Sequence, residues 1–158
     1  MATRALTPDD WHDASALYRE LADPVPVLEG EPARMRFNDL VAHPGTTVWG
    51  AEANGRVVAM ATLHCLPNLT YSGRPYALVE NVVTLAAHRG RGLGRLVMER
   101  AMAGAWEAGA YKIMLLTGTK RGARVFYERL GFRGHDKHAM TAWHDLPPEA
   151  AARLGTAA

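Results

Sequence analysis

Arg89-Gly90-Arg91-Gly92-Leu93-Gly94 alternates three glycines with cationic and apolar residues, and Arg95 follows directly. Such a stretch suits one kind of chemistry, the holding of an anion. Glycines let a chain turn tightly and bring its N–H groups close to a ligand. If a helix begins here, its first N–H groups lack intrahelical partners and carry the positive end of its dipole. That end is a ready phosphate site, and the arginines add charge to it. Two known phosphate loops do not fit. In G-x-G-x-x-G counted from Gly90, the third glycine would fall at Arg95. A P-loop would need Gly-Lys-Ser/Thr, a string that does not occur. Taken alone, the segment is either a pyrophosphate cradle or a glycine-rich turn that binds nothing.

The flanking elements must position that loop. Ala77 to Thr84 has the β-branched character of a strand, and from Leu93 onward apolar residues recur at helical spacing. Leu96, Val97, Ala101, Ala105 and Ala108 mark the core face of this helix, and Gly109 ends it. Lys112 to Thr117 reads as a fully buried strand, parallel to Ala77–Thr84 through a right-handed crossover. Ala123 to Leu130 is a short helix closed by Gly131, and two last strands are expected around Phe132-Arg133 and from His138 to Trp143.

Upstream, Thr3 to Leu6 is a first strand. Thr7-Pro8-Asp9-Asp10 starts a helix whose buried stripe is Trp11, Ala14, Leu17, Tyr18 and Leu21. A second helix covers Glu31 to Val41. Thr46–Ala53 and Arg56–Leu66 form a hairpin around Asn54-Gly55, which supplies the positive-φ pair of a type I′ turn. The resulting order is βααβββαβαββ, an α/β chain of mixed α+β character.

Size and composition narrow the function classes. At 158 residues and 48% apolar, the chain is expected to fold as one domain over 1–147, with 148–158 as a flexible C-terminal tail. No apolar run approaches membrane-spanning length, and the N-terminus lacks a signal-peptide pattern. A single cysteine, Cys65, excludes an internal disulfide and a Cys-rich zinc site, so a cytoplasmic location is expected. Residues 89–137 hold eleven Lys/Arg against four Asp/Glu, whereas the remainder holds seven against twelve. The basic half attracts a polyanion. It lacks the aromatic interleaving of a nucleic-acid surface, so a small polyphosphate is expected and no nucleic acid. Asp23, Glu29 and Glu31 either are solvated surface acids or line a site for a cationic amine. No metal site is expected: His135 and His138 lack zinc-type partners.

Phe126-Tyr127-Glu128-Arg129-Leu130-Gly131-Phe132 resembles the F-Y-E-x-x-G-F segment of the GCN5-related N-acetyltransferase (GNAT) superfamily, and Arg89-x-x-Gly92-x-Gly94 resembles its coenzyme A loop. Glu80-Asn81-Val82-Val83-Thr84 resembles the family strand before that loop, and the element order is similar throughout. The resemblance implies a strongly bent mixed sheet of six to seven strands with helices on both faces, in which two parallel strands splay to admit pantetheine. It implies acetyl-CoA as co-substrate, an amine acceptor and, as in many look-alikes, a homodimer. Backbone groups of Val82, Val83 and Thr84 would pair with the pantetheine amides, and those of Arg89, Gly90, Arg91, Gly92, Leu93, Gly94 and Arg95 would hold the pyrophosphate. Many members carry asparagine seven residues before the tyrosine; here Lys120 stands there and could reach a coenzyme A phosphate instead.

The chemistry then assigns roles. A lysine-like amine, with a pKa of roughly 10.4, is charged at neutral pH and must lose a proton before it attacks. Glu80 is the candidate base, the alternative being a strand-edge ion pair. Tyr127, a phenol with a pKa of about 10, is the candidate acid for the leaving thiolate, the alternative being an ordinary core tyrosine. Val125, Phe126 and Leu130 would anchor its helix. A backbone N–H near Val82 or Val83 is the candidate oxyanion donor. The expectation is N-acetyl transfer to a primary amine by direct attack in a ternary complex; the alternative is an acyl-CoA-binding regulatory module.

Overall fold

The computed structural model describes residues 2–23, 25–118, 122–134, 138–142 and 144. Five strands form one sheet in chain order: β1 (Thr3–Ala5), β2 (Thr46–Ala53), β3 (Arg56–Leu66), β4 (Tyr76–Thr84) and β5 (Ile113–Met114). The first four pair antiparallel, while β4 and β5 pair parallel. Helices α1 (Trp11–Ala22) and α2 (Gly30–Ala42) contribute to one core, and α3 (Leu93–Glu107) to the other. The short α4 (Arg124–Glu128) packs on the α3 side through Phe126 and Tyr127.

Local chemistry explains these elements. Asn54 (φ 53°) and Gly55 (φ 73°) supply the paired positive φ values that a two-residue turn needs between twisted strands. The N–H of Thr7 donates to Asp10 Oδ2 at 2.8 Å, closing a capping box before α1. On the α1–α2 side, Ala14, Leu17 and Phe37 bury against Val48, Val57 and Met60. On the other side, Val97, Met98, Ala101 and Ala105 of α3 meet Ala59, Ala61, Ala77 and Val79. Small residues on both surfaces bring helix and sheet close together.

Several expectations need correction. The stretch from Lys112 to Thr117 pairs as a strand only at Ile113 and Met114, and Met114 and Leu116 are exposed rather than buried. A continuous apolar run implies cover on both faces; Ile113 and Leu115 pack against the α3-side core, but no described element covers the face of Met114 and Leu116. Ala108, at the end of α3, is exposed rather than part of its core face. Among the described residues, 132–134 and 138–142 form no strand, so a mixed sheet of five strands is observed rather than six to seven. The tail 148–158 lies outside the described residues.

Candidate functional site

The site grows from the way β4 and β5 part. Their pairing stops at Leu78↔Met114, yet β4 continues to Thr84 with only β3 beside it. An antiparallel neighbour satisfies one edge of a strand; the polar groups of the other edge need a different partner. Across the gap stands α4. Between them opens a cavity of about 600 Å³, lined by Val82, Val83 and Thr84 on one wall and Phe126, Tyr127 and Leu130 on the other. Arg89, Gly90, Gly92, Leu93, Gly94 and Arg95 close one end.

A bulge shapes the β4 wall. Met60 pairs with Val83 and Thr62 with Glu80, so Ala61 alone faces both Asn81 and Val82. Asn81 takes φ 53°, a conformation disfavoured for any residue with a side chain. Bulges leave a residue out of the ladder and turn its backbone outward, and they recur beside functional sites.

The glycine loop has the geometry an anion needs. Gly90 and Gly92 sit at φ 74° and 79°, and Gly92 is the N-cap of α3. The first N–H groups of α3 therefore open onto the cavity end with no intrahelical acceptor. Gly94 marks a close approach instead: a Cβ there would press on Thr84 Oγ1 at 3.3 Å and touch Phe126 at 3.8 Å. The cradle fits a diphosphate through its main chain. Its arginines are partly committed elsewhere. Arg89 donates to Thr84 O at 3.0 Å and to Glu20 of α1, and Arg95 Nε donates to Glu99 Oε1 at 2.7 Å. Among the described residues Arg91 makes no ion pair. Lys120, at the asparagine position, lies outside the described residues.

Tyr127 is half-buried, with Phe126 edge-on at 5.0 Å and Phe132 at 6.1 Å. Burial raises its pKa above 10, and the charge of Glu80 raises it further. It is thus a neutral donor through the physiological range, within electrostatic reach of Glu80. Phe126 and Leu130 anchor α4 as expected, but Val125 points to solvent at 53% exposure. Glu80 is half-buried on β4, opposite Thr62. Asp23, Glu29 and Glu31 are exposed and do not line the cavity.

A family pattern described as the acetyltransferase (GNAT) family matches residues 11–132. The chain belongs to that family. A solved structure described as a putative acetyltransferase from Agrobacterium tumefaciens is similar at 43% identity and a TM-score of 0.86, over 91% of this chain and 100% of that one. A glucosamine 6-phosphate N-acetyltransferase of Trypanosoma brucei brucei is 35% identical over 92 residues, 58% of this chain and 61% of the relative. A probable glucosamine 6-phosphate N-acetyltransferase 2 of Oryza sativa subsp. japonica is 37% identical over 82 residues, 52% and 48% of the two chains. This GNAT chain thus aligns with about half to three-fifths of the length of these two relatives.

Other polar groups of this GNAT protein escaped the sequence reading. Thr62 is fully buried, and its Oγ1 has no hydrogen-bond partner; nor has the Tyr18 hydroxyl of α1. The two are close enough that Thr62 offsets part of the rise in pKa that burial gives Tyr18. His64 and Thr46 share a hydrogen bond of 2.9 Å, and His88 lines the cavity with an unpartnered, buried Nδ1. The signal for Thr62 and His64 was their alternation with Ala61, Leu63 and Cys65, which put polar groups on a strand buried on both faces.

Proposed function

We propose that this protein is an acetyl-CoA-dependent N-acetyltransferase that acylates a primary amine by direct attack in a ternary complex. The observation that carries this reading is the cavity between the unpaired edge of β4 and α4, with the glycine cradle at one end and Tyr127 in its wall. Acetyl-CoA supplies the activated acyl group and a thiolate as leaving group. Main-chain N–H groups of residues 89–95 hold its diphosphate, and the edge of Val82–Thr84 pairs with its amide-bearing arm. Glu80 takes the proton of the ammonium acceptor. A main-chain N–H near Val82 or Val83 faces the carbonyl oxygen as charge develops there. Tyr127 Oη keeps its proton for the departing sulfur. Its raised pKa supports the protonated resting state of that role, since burial and the Glu80 charge keep the proton on Oη at neutral pH.

The two relatives named above have glucosamine 6-phosphate in their names. An amino sugar phosphate is therefore the first acceptor to try, within a panel of small amines and peptide N-termini. Release of free thiol from acetyl-CoA with any of these amines, and acetylated amine by mass spectrometry, is the expected result. Tight coenzyme A binding with no turnover across the panel would favour the acyl-CoA-binding module. Failure to bind coenzyme A at all would end both readings.

A further inference from the structure

The geometry points to His64, Thr46 and His43 as a hydrogen-bonded exit that carries the proton collected by Glu80 out to solvent. This rests on Glu80 being the base. On the α1–α2 face of the sheet, Thr62 stands opposite Glu80 and His64 opposite Leu78. His64 and Glu80 are thus diagonal neighbours on adjacent strands, within reach for long side chains. From His64 the path continues across to β2, where Thr46 pairs with His64 in register. Thr46 Oγ1 lies 2.9 Å from His64 Nδ1 and 3.2 Å from His43 Nδ1. His64 is half-buried and His43, just past α2, is exposed, so the path runs outward.

A base that accepts a proton in each turnover must be emptied before the next. Thr46 has one hydroxyl proton between two ring nitrogens, so it donates to one and accepts from the other. Bond by bond, the ammonium N–H breaks as an O–H forms on Glu80. No direct hydrogen bond joins Glu80 to His64, so one bridging water takes the Glu80 O–H proton as it gives one of its own to His64 Nε2. The Nδ1 proton of His64 passes to Thr46 Oγ1 while the hydroxyl proton passes to His43 Nδ1, and His43 releases its Nε2 proton to water. The net change is one proton from amine to solvent; hydroxyl reorientation and ring-proton exchange restore the tautomers. His64 has the right resting state. Burial pulls its pKa below 6.5 and His43 lowers it further, against the opposing pull of Glu80, so the ring is neutral at pH 7. Those two groups, from β4 and from the end of α2, are what act on it; Tyr18 of α1 stands beside Thr62, and Thr46 of β2 is uncharged.

The test uses glucosamine 6-phosphate, or the panel amine turned over fastest, in H2O and D2O. Thr46→Val and His64→Gln are each expected to lower kcat about 10²-fold, the low end of a proton-transfer contribution. Acetyl-CoA binding should stay unchanged, the solvent isotope effect should rise, and added imidazole should restore turnover. Thr46→Ser should rescue what Thr46→Val loses. Wild-type kcat and isotope effect in both variants overturn the relay, as does a loss that neither imidazole nor serine repairs. A fully active Glu80→Gln instead sinks the base assignment, whereas an inactive Glu80→Gln beside an unimpaired Thr46→Val sinks the relay alone. Imidazole 15N titration decides without turnover: Glu80→Gln should lower the His64 midpoint and Thr46→Val should shift its Nδ1 resonance. No response to either change overturns the proposal.

Discussion

The two faces of the sheet solve different problems. Toward α3 the packing is small and apolar, Ala59, Ala61, Ala77 and Val79 against Val97, Ala101 and Ala105. There the chain offers a ligand its main chain: a bulged edge at Asn81–Val82, glycines at positive φ and a helix start. Toward α1 and α2 the core of Leu17, Phe37 and Met60 is interrupted by Tyr18, Thr62, His64 and Glu80. On that side the polar groups on offer belong to side chains. The contrast follows from the ligands each face would meet. A diphosphate and an amide-bearing arm are recognised by repeated N–H and C=O groups, which any sequence supplies once the backbone is bent correctly. An amine that must be deprotonated needs titratable groups at chosen positions.

The comparison can be broken by substitutions that separate the faces. The largest effect is expected where they meet. Tyr127→Phe should lower kcat by about 10²-fold or more and Glu80→Gln comparably, with calorimetric coenzyme A affinity almost unchanged. Glu80→Gln should also move the pH–rate profile upward, because deprotonation of the amine is left to solvent. Loss of coenzyme A affinity in Tyr127→Phe would mean that Tyr127 is part of the cradle and not of the chemistry.

On the cofactor side, Gly92→Ala meets nothing within 4 Å but forces a side chain onto φ 79°. That costs about 1–2 kcal/mol, so coenzyme A should bind about 10-fold more weakly while kcat at saturation holds. Equal affinity would show that the loop tolerates another path for its main chain. On the acceptor side, Thr62→Val removes a buried hydroxyl without a partner. Urea unfolding should show a gain of about 1 kcal/mol, and a loss instead would mean that this hydroxyl is bonded in solution.

The smallest effect lies away from both. Arg4 pulls the Asp10 pKa down to about 2, despite the opposing cost of burial. A lowered folded-state value stabilises the fold above the ordinary 3.8, and the contribution fades as pH falls toward 2. Because the pair is partly exposed it is worth at most about 1 kcal/mol, and Arg4→Leu should flatten the acid limb of a thermal melt by that amount.

The cofactor side was the legible one. Arg89 to Arg95 and the strand before it occupy one continuous stretch, and their glycine spacing reports backbone shape directly. Phe126 to Phe132 was legible for the same reason. Even there the side-chain partners were not legible: Arg89 donates to Thr84 O and to Glu20, and Glu20 lies far off in sequence on α1. The acceptor side was nearly silent. Asp23, Glu29 and Glu31 looked like a cation site by composition, yet they point into water. His43, Thr46, His64 and Glu80 are spread over 38 positions of sequence, with no spacing that marks them as a group.

What the sequence determined by itself was local. Alternation and helical periodicity set the elements, Asn54-Gly55 set the hairpin, and the glycines set a loop able to cradle an anion. These depend on φ, ψ and neighbours a few residues away. What only the tertiary structure decided was which edges stay unpaired and which polar groups share a face. The parting of β4 from β5 after Leu78, the bulge opposite Ala61 and the diagonal placing of Glu80 and His64 all depend on strand register. Register is fixed by packing the whole sheet between its helices, and no short stretch of residues carries that information.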